Sequence, residues 1–211
     1  HMIGLIAKEG IPFLLVPLLG AIVCSLLGWW ILGALLFLFG LLLGFFFRDP
    51  NRTIPQQPGL IVSPADGKVI KLVNTIDGTV VSIFLSIFNV HVNRAPIRGI
   101  VSSQKYRPGK FRFAFDDRAS KENECMTWII KGRESVKFSL VAGWVARRIV
   151  AWKQPGDQVE QGDRIALIRF GSRVDMTVPP GFVVTVATGN QVRGGSSIIA
   201  IRKSKSDRSR N

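Results

Sequence analysis

Cysteine, histidine and tyrosine are scarce: the 211 residues hold two, two and one of them. Cys24 lies in an apolar stretch and Cys125 in the polar remainder. That pair makes no disulfide framework and no metal-ligand spacing, and a reducing cytosolic face is the simplest setting. His1-Met2 reads as a remnant of expression and is set aside. His91 is then the sole histidine for any step that needs an imidazole. Acids are also few, 14 against 28 bases, for a formal net charge of +14. Charge is missing altogether from residues 10–47, and residues 1–47 carry only Lys8 and Glu9. The whole positive excess therefore falls on residues 48–211. A basic domain tethered beside a bilayer suits anionic membrane lipids. Nucleic acid, the other usual partner of such charge, is not expected, because no helix-turn-helix, zinc-finger or RNA-binding signature is present. Long helical periodicity is absent after residue 48, which excludes a helical bundle.

The uncharged run is too long for one straight span. Its 38 residues would make a helix of about 57 Å, against a hydrocarbon core of about 30 Å. Two shorter helices, Ile11–Leu27 and Ile31–Phe47, fit better, with a break near Gly28-Trp29-Trp30. The tryptophans then mark the far interface and Phe45-Phe46-Phe47 the near one. A transmembrane hairpin puts both ends on one side, and the base-rich remainder assigns that side to the cytoplasm. A cleaved signal peptide fits worse, since the stretch is too long and no small-x-small site follows it. Pro50, Pro55 and Pro58 stop the helix.

From Leu60 onward, short β-branched runs alternate with Gly and Pro turns. Strands are expected at 67–73, 79–87, 98–105, 126–131, 135–141, 149–152, 164–170, 173–178, 183–188 and 198–202. The chain divides into a remnant (1–2), a membrane anchor (3–47), a linker (48–59), a β-rich domain (60–203) and a basic tail (204–211). An internal repeat stands out. Residues 156–169 read GDQVEQGDRIALIR and residues 189–202 read GNQVRGGSSIIAIR, an offset of 33 without gaps. This resembles the quasi-duplicated barrel-sandwich hybrid of biotinyl and lipoyl domains. The expected fold is thus an all-β, barrel-sandwich-hybrid-like soluble domain behind an N-terminal transmembrane helical hairpin.

Four segments carry chemistry in order: Phe46-Phe47-Arg48-Asp49-Pro50, Ser63-Pro64-Ala65-Asp66-Gly67-Lys68, Phe88-Asn89-Val90-His91-Val92-Asn93-Arg94-Ala95-Pro96 and Arg169-Phe170-Gly171-Ser172-Arg173-Val174-Asp175. Together, behind an apolar N-terminus, they resemble the phosphatidylserine decarboxylase family, in its short prokaryotic type. The resemblance implies a precursor that cuts itself at Gly171–Ser172, leaving a pyruvoyl cofactor made from Ser172. It implies decarboxylation of phosphatidylserine to phosphatidylethanolamine through a Schiff base, and it suggests a homodimer. It assigns Ser172 as nucleophile, Gly171 as cleavage site, His91 as general base and acid, and Asp66 as the carboxylate orienting His91. The chemistry agrees: a serine hydroxyl needs a base to lose its proton, and an imidazole oriented by a carboxylate is the usual one. Glycine on the acyl side leaves the carbonyl open to attack. Longer family members carry a second histidine where Arg94 stands, so one imidazole is left for both steps. Arg48, Arg52, Arg94 and Phe88 are the expected contacts to lipid and membrane.

Each choice has an ordinary reading beside it. Asp66-Gly67 is a common turn pair and Gly-Ser pairs are frequent in loops. Gly195-Ser196 is the rival cleavage site, but it falls on the ordinary Gly162-Asp163 turn of the other repeat, whereas Gly171-Ser172 lies beyond the repeated unit. A biotinyl- or lipoyl-like carrier would need a lysine between the copies, and residues 170–188 have none. A membrane-fusion adaptor would need a long helical hairpin between its halves, and none is present.

Overall fold

A computed structural model describes residues 6–109, 123–143, 149–168 and 172–203. The chain divides into two compact units, His1–Asn51 and Arg52–Asn211.

The first unit is a pair of apolar helices, α1 (Ile11–Leu26) and α2 (Trp30–Phe46). Leu, Ile, Ala and Phe dominate both, and no charge interrupts them. Gly28 turns the chain between them at φ +80. The helices run antiparallel with small residues at their contact: Gly33 faces Ser25, Gly40 faces Leu18, and Gly44 faces Leu14. Their outer sides expose Val16, Leu26, Trp30 and Ile31. With the preceding 3-10 turn, the stretch Lys8–Leu26 is long and apolar enough to cross a membrane, whereas α2 has 17 residues. The two ends are tied by an Ala7 N–H bond to the Phe47 carbonyl at 2.9 Å and a bridge between Ile6 and Arg48.

The second unit is almost entirely β-sheet. Its strands are β1 (Leu60–Val62), β2 (Gly67–Thr75), β3 (Gly78–Leu85), β4 (Val92–Arg94), β5 (Gly99–Arg107), β6 (Cys125–Lys131) and β7 (Ser135–Ala142). They continue with β8 (Ile149–Ala151), β9 (Gln158–Val159), β10 (Arg164–Ile168), β11 (Ser172–Val178), β12 (Phe182–Val184), β13 (Gln191–Val192) and β14 (Ile198–Arg202). One eight-stranded sheet has the order β13-β2-β3-β11-β7-β6-β5-β9. Two three-stranded sheets have the orders β1-β14-β12 and β4-β10-β8. Strand faces alternate as period two requires, and the apolar face holds Trp128 stacked on Phe138 at 5.6 Å with Val81, Ile83, Val174 and Met176 around them.

These sheet orders are mirror lists, and the hydrogen bonds show why. The duplication runs through the whole domain, well beyond the 33-residue repeat. Residues 59–69 repeat at 91–101, an offset of 32: Val62 N–H bonds Pro96 O at 3.0 Å, and Arg94 N–H bonds Pro64 O at 2.8 Å. Val69 N–H bonds Asn190 O, and Val101 N–H bonds Asp157 O, both at 2.9 Å. A bulge follows Val69 in the β2–β3 pairing and follows Val101 in the β5–β6 pairing. Gly67 and Gly99 are equivalent, and each is packed where a side chain would overlap the carbonyl of the facing strand, Phe84 or Lys131.

The gapless alignment of the C-terminal repeat needs correction. Gly162 N–H bonds Ala95 O and Gly195 N–H bonds Ser63 O, which keeps the offset of 33 to that point. Beyond it the offset is 34: Ala166 faces Asn93 as Ala200 faces Ile61, and Leu167 faces Val92 as Ile201 faces Leu60. Ser196 is an inserted residue, taken up by a tight turn in which Ser196 and Ser197 N–H both bond Arg193 O. Matching the isoleucine runs one residue out of step would have turned each side chain to the opposite face.

Candidate active site

Ser172 opens β11, in the middle of the large sheet. Its backbone pairs with Leu85 of β3 on one side and Ala142 of β7 on the other. Its side chain is fully buried, and Oγ has no hydrogen-bond partner among the described residues. Buried hydroxyls are nearly always bonded, so an orphan here marks something other than packing. Gly171 lies outside the described residues.

His91 is reached from the same point. Leu85 faces Ser172, and seven residues on, Val92 faces Leu167. The segment 85–92 therefore leads from the large sheet to the β4-β10-β8 sheet. His91 lies on this segment, wholly buried, its carbonyl accepting from Ile168 N–H at 3.2 Å and from Asn93 Nδ2 at 3.0 Å. Earlier on the same segment, a turn closed by Asn89 Oδ1 on the Ser86 N–H and hydroxyl pushes Ile87 and Phe88 outward, 53% and 64% exposed.

Asp66 sits at the head of β2. Oδ1 accepts the Gly194 N–H and Oδ2 accepts Arg52 Nη2, both at 2.7 Å. Arg52 is itself 12% exposed at the side chain, so this ion pair is largely shielded from water. Arg94 is buried, with Nη1 donating to the Gly162 carbonyl at 3.0 Å. Arg48 belongs to the helical unit, where it donates to the Phe45 carbonyl at 2.7 Å and lies over the Phe45 ring. The structure thus joins Asp66 directly to Arg52, places Arg94 one bond from the Asp66 turn through Pro64, and carries His91 on the segment that leaves β3 beside Ser172.

Internal symmetry says where these groups lead. The counterpart of Asp66 is Arg98, and that of His91 is Gly59, whose carbonyl accepts Arg202 N–H at 2.9 Å as His91 accepts Ile168. Val174 faces Ile83 as Val136 faces Ile130, so two residues on, Ser172 corresponds to Glu134. Arg98, Gly59 and Glu134 all line a single cleft. Asp66, His91 and Ser172 hold the equivalent backbone positions in the other copy. Where the two copies share backbone but differ in side chain, the scaffold does not account for the difference.

Some site residues had no sequence signal. Asn123 Nδ2 bonds the Ala142 carbonyl at 2.7 Å, and Ala142 N–H bonds the Glu124 carbonyl at 2.9 Å, so the strand end beside Ser172 is gripped from both sides. Glu124 is buried; desolvation pushes its carboxyl above the ordinary range, and a bond from Tyr106 opposes that only in part. A lone Asn-Glu pair between strands carries no motif that would single it out. Ile54, in the stretch expected to be a linker, packs against both Gly162 and Gly195, the equivalent turns of the two copies.

A buried serine hydroxyl without a described hydrogen-bond partner at a central strand start, in a domain with one buried imidazole, is the make-up of an enzyme site and not of a carrier scaffold. The family model for phosphatidylserine decarboxylase matches residues 39–200. The phosphatidylserine decarboxylase proenzyme of Nitratidesulfovibrio vulgaris is 41% identical over 207 residues, covering 94% of this chain and 95% of that one. The proenzyme of Symbiobacterium thermophilum is 42% identical over 205 residues, covering 92% and 94%. That of Pelodictyon phaeoclathratiforme is 46% identical over 164 residues, covering 74% and 77%. The chain belongs to the phosphatidylserine decarboxylase family.

Proposed function

We propose that the chain is made as a precursor, cuts itself between Gly171 and Ser172, and then converts phosphatidylserine to phosphatidylethanolamine at a membrane surface. The observation that carries this reading is the buried Ser172 hydroxyl, without a hydrogen-bond partner among the described residues, at the head of a central strand and beside the segment that carries His91 away from β3.

In the cut, Ser172 Oγ gives up its proton to His91 and attacks the carbonyl of residue 171. The amide becomes an ester. Loss of the Ser172 α-proton then breaks the Cβ–Oγ bond of that ester, leaving residue 171 with a carboxylate and residue 172 as a dehydroalanine. Hydrolysis of that residue releases ammonia and leaves a pyruvoyl group. Burial suits these steps, because water that would intercept the ester is kept out. Asp66, held by Arg52 and the Gly194 N–H, supplies a fixed negative charge at the border of the site.

The pyruvoyl group, once formed, supplies an electron sink for the charge left when carbon dioxide departs. Its site fits: Arg173 and the residues after it pair with β3 and β7 through their own backbone groups, so the strand that would bear the pyruvoyl group is held without the residue 172 amide. His91 holds the proton that the substrate α-carbon receives. Exposed Ile87 and Phe88 reach the lipid interface beside it, and Arg48 follows the apolar helix to the headgroups. Arg52 and Arg94, both shielded and engaged inside the domain, hold the site together rather than the lipid. The antiparallel apolar helices serve as a membrane hairpin, with the domain on the cytoplasmic side, and the duplicated β-domain is a barrel-sandwich-hybrid variant.

Intact mass spectrometry of the purified protein tests the cut. Wild type should give two fragments that separate at residue 172, the smaller with a blocked N-terminus, and Ser172→Ala should give one intact chain. Two fragments from Ser172→Ala would sink the assignment.

A further inference from the structure

The cleft lined by Arg98, Gly59 and Glu134 is a built cavity, of about 810 Å³. Its walls occupy the same backbone positions as those around Asp66, His91 and Ser172, with the side chains changed both ways: Glu160 stands for Arg193 and Ile100 for Lys68, while cations enter elsewhere. Arg98 replaces Asp66, Lys131 replaces Phe84, and Arg202 replaces Ile168. Arg133 adds a fourth cation to the lining. Against these stand Glu134, paired with Arg202, and Glu160, 4.0 Å from Arg98 with both side chains mostly exposed. Two positive charges are left over, and among the described residues Lys131 and Arg133 form no ion pair. Gln161 replaces Gly194, and its Nε2 is a buried donor with no hydrogen-bond partner among the described residues. A cavity with surplus cations and an unused buried N–H calls for an acceptor-rich anion.

We propose that this cleft is a second, non-catalytic binding site for a phosphate group. Lys131, unpaired among the described residues, and Arg98, whose 4.0 Å contact with Glu160 is solvent-exposed and weak, supply the charge, and Gln161 Nε2 donates to a phosphate oxygen. The nucleophile and imidazole positions here hold Glu134 and Gly59, so nothing in the cleft can process what it binds. A soluble phosphoester and the headgroup of an anionic phospholipid present the same phosphate. The proposal depends on the cleft alone and stands whether or not the decarboxylase reading holds.

Isothermal titration of the full-length protein in non-ionic detergent tests it, with two probes. One is glycerol 3-phosphate; the other is dihexanoyl phosphatidylglycerol below its micelle concentration. The Arg98→Ala/Lys131→Ala variant should bind one phosphate fewer per chain than wild type, or bind at least tenfold more weakly. Gln161→Leu, which leaves every charge in place, should weaken binding several-fold. Arg98→Lys/Lys131→Arg should stay within about threefold of wild type. Thermal melts by circular dichroism verify that each variant is folded. Binding of both probes would assign the site to phosphate itself, and binding of the lipid probe alone would assign it to a headgroup. Absence of saturable binding to wild type, or unchanged stoichiometry and affinity in the double variant, would overturn the proposal.

Discussion

Glu124 is a buried acid in a domain that is otherwise short of acids. Burial favours its neutral form, so its folded-state pKa lies above the unfolded value of 4.5. The sign of the linkage follows. Protons are bound more tightly in the folded state, so the contribution of this group is fully present below pH 4.5 and is lost as pH rises through the folded pKa. Glu124→Gln, which keeps the shape and the Tyr106 contact, should flatten that loss and raise the melting temperature at pH 8 more than at pH 4. A melting temperature raised equally at both pH values would mean that the carboxyl charge has no part in it. Ser172 illustrates the other side of burial. Its motif was legible in the sequence, whereas the missing partner of its hydroxyl was not, because only packing decides which buried polar atoms are satisfied.

At the scale of elements, Gly67 and Gly99 form a natural control experiment. Each passes so close to the facing strand that a Cβ would strike its carbonyl, at Phe84 or Lys131. Gly67→Ala and Gly99→Ala should therefore cost similar stability, about 2 kcal/mol in urea unfolding, the order expected for overpacking. Only Gly67 adjoins Asp66, so only Gly67→Ala should slow the appearance of the two fragments on a denaturing gel. Equal slowing by both would show that self-cleavage tracks stability and not the Asp66 turn. The longer strands were readable from alternation, within two residues at most ends. The two- and three-residue strands β1, β4, β9 and β13 were not, because period two needs at least four residues to declare itself. The N-terminal half of the duplication escaped for a related reason. Between 63–69 and 95–101 only Pro, Gly and Val recur at matching places, and the equivalence lives in backbone bonds. Ser196 misled because two isoleucine-rich runs align well in either of two registers, and only pairing chooses between them.

At the scale of the molecule, the position of the proposed cut governs what maturation would do to stability. The fragment 172–203 contributes β11 to the centre of the large sheet, β13 to its edge, and β12 with β14 to the β1-β14-β12 sheet. Both pieces are needed for two of the three sheets, so cleavage does not release either. Before the cut, the chain carries β10 directly into β11. After it, the pairing of β11 with β3 and β7 would have to be found between separate chains, and the entropy of closing the loop would become a cost of association. Ser172→Ala should therefore regain its native spectrum after dilution from urea, while the cleaved enzyme should not; full recovery of the cleaved form at low concentration would refute this. Once cut at that place, a mature molecule would be a woven cloth with its yarn already snipped. It would keep its shape for as long as it is never undone, and each working copy would descend from one folding event that it cannot repeat.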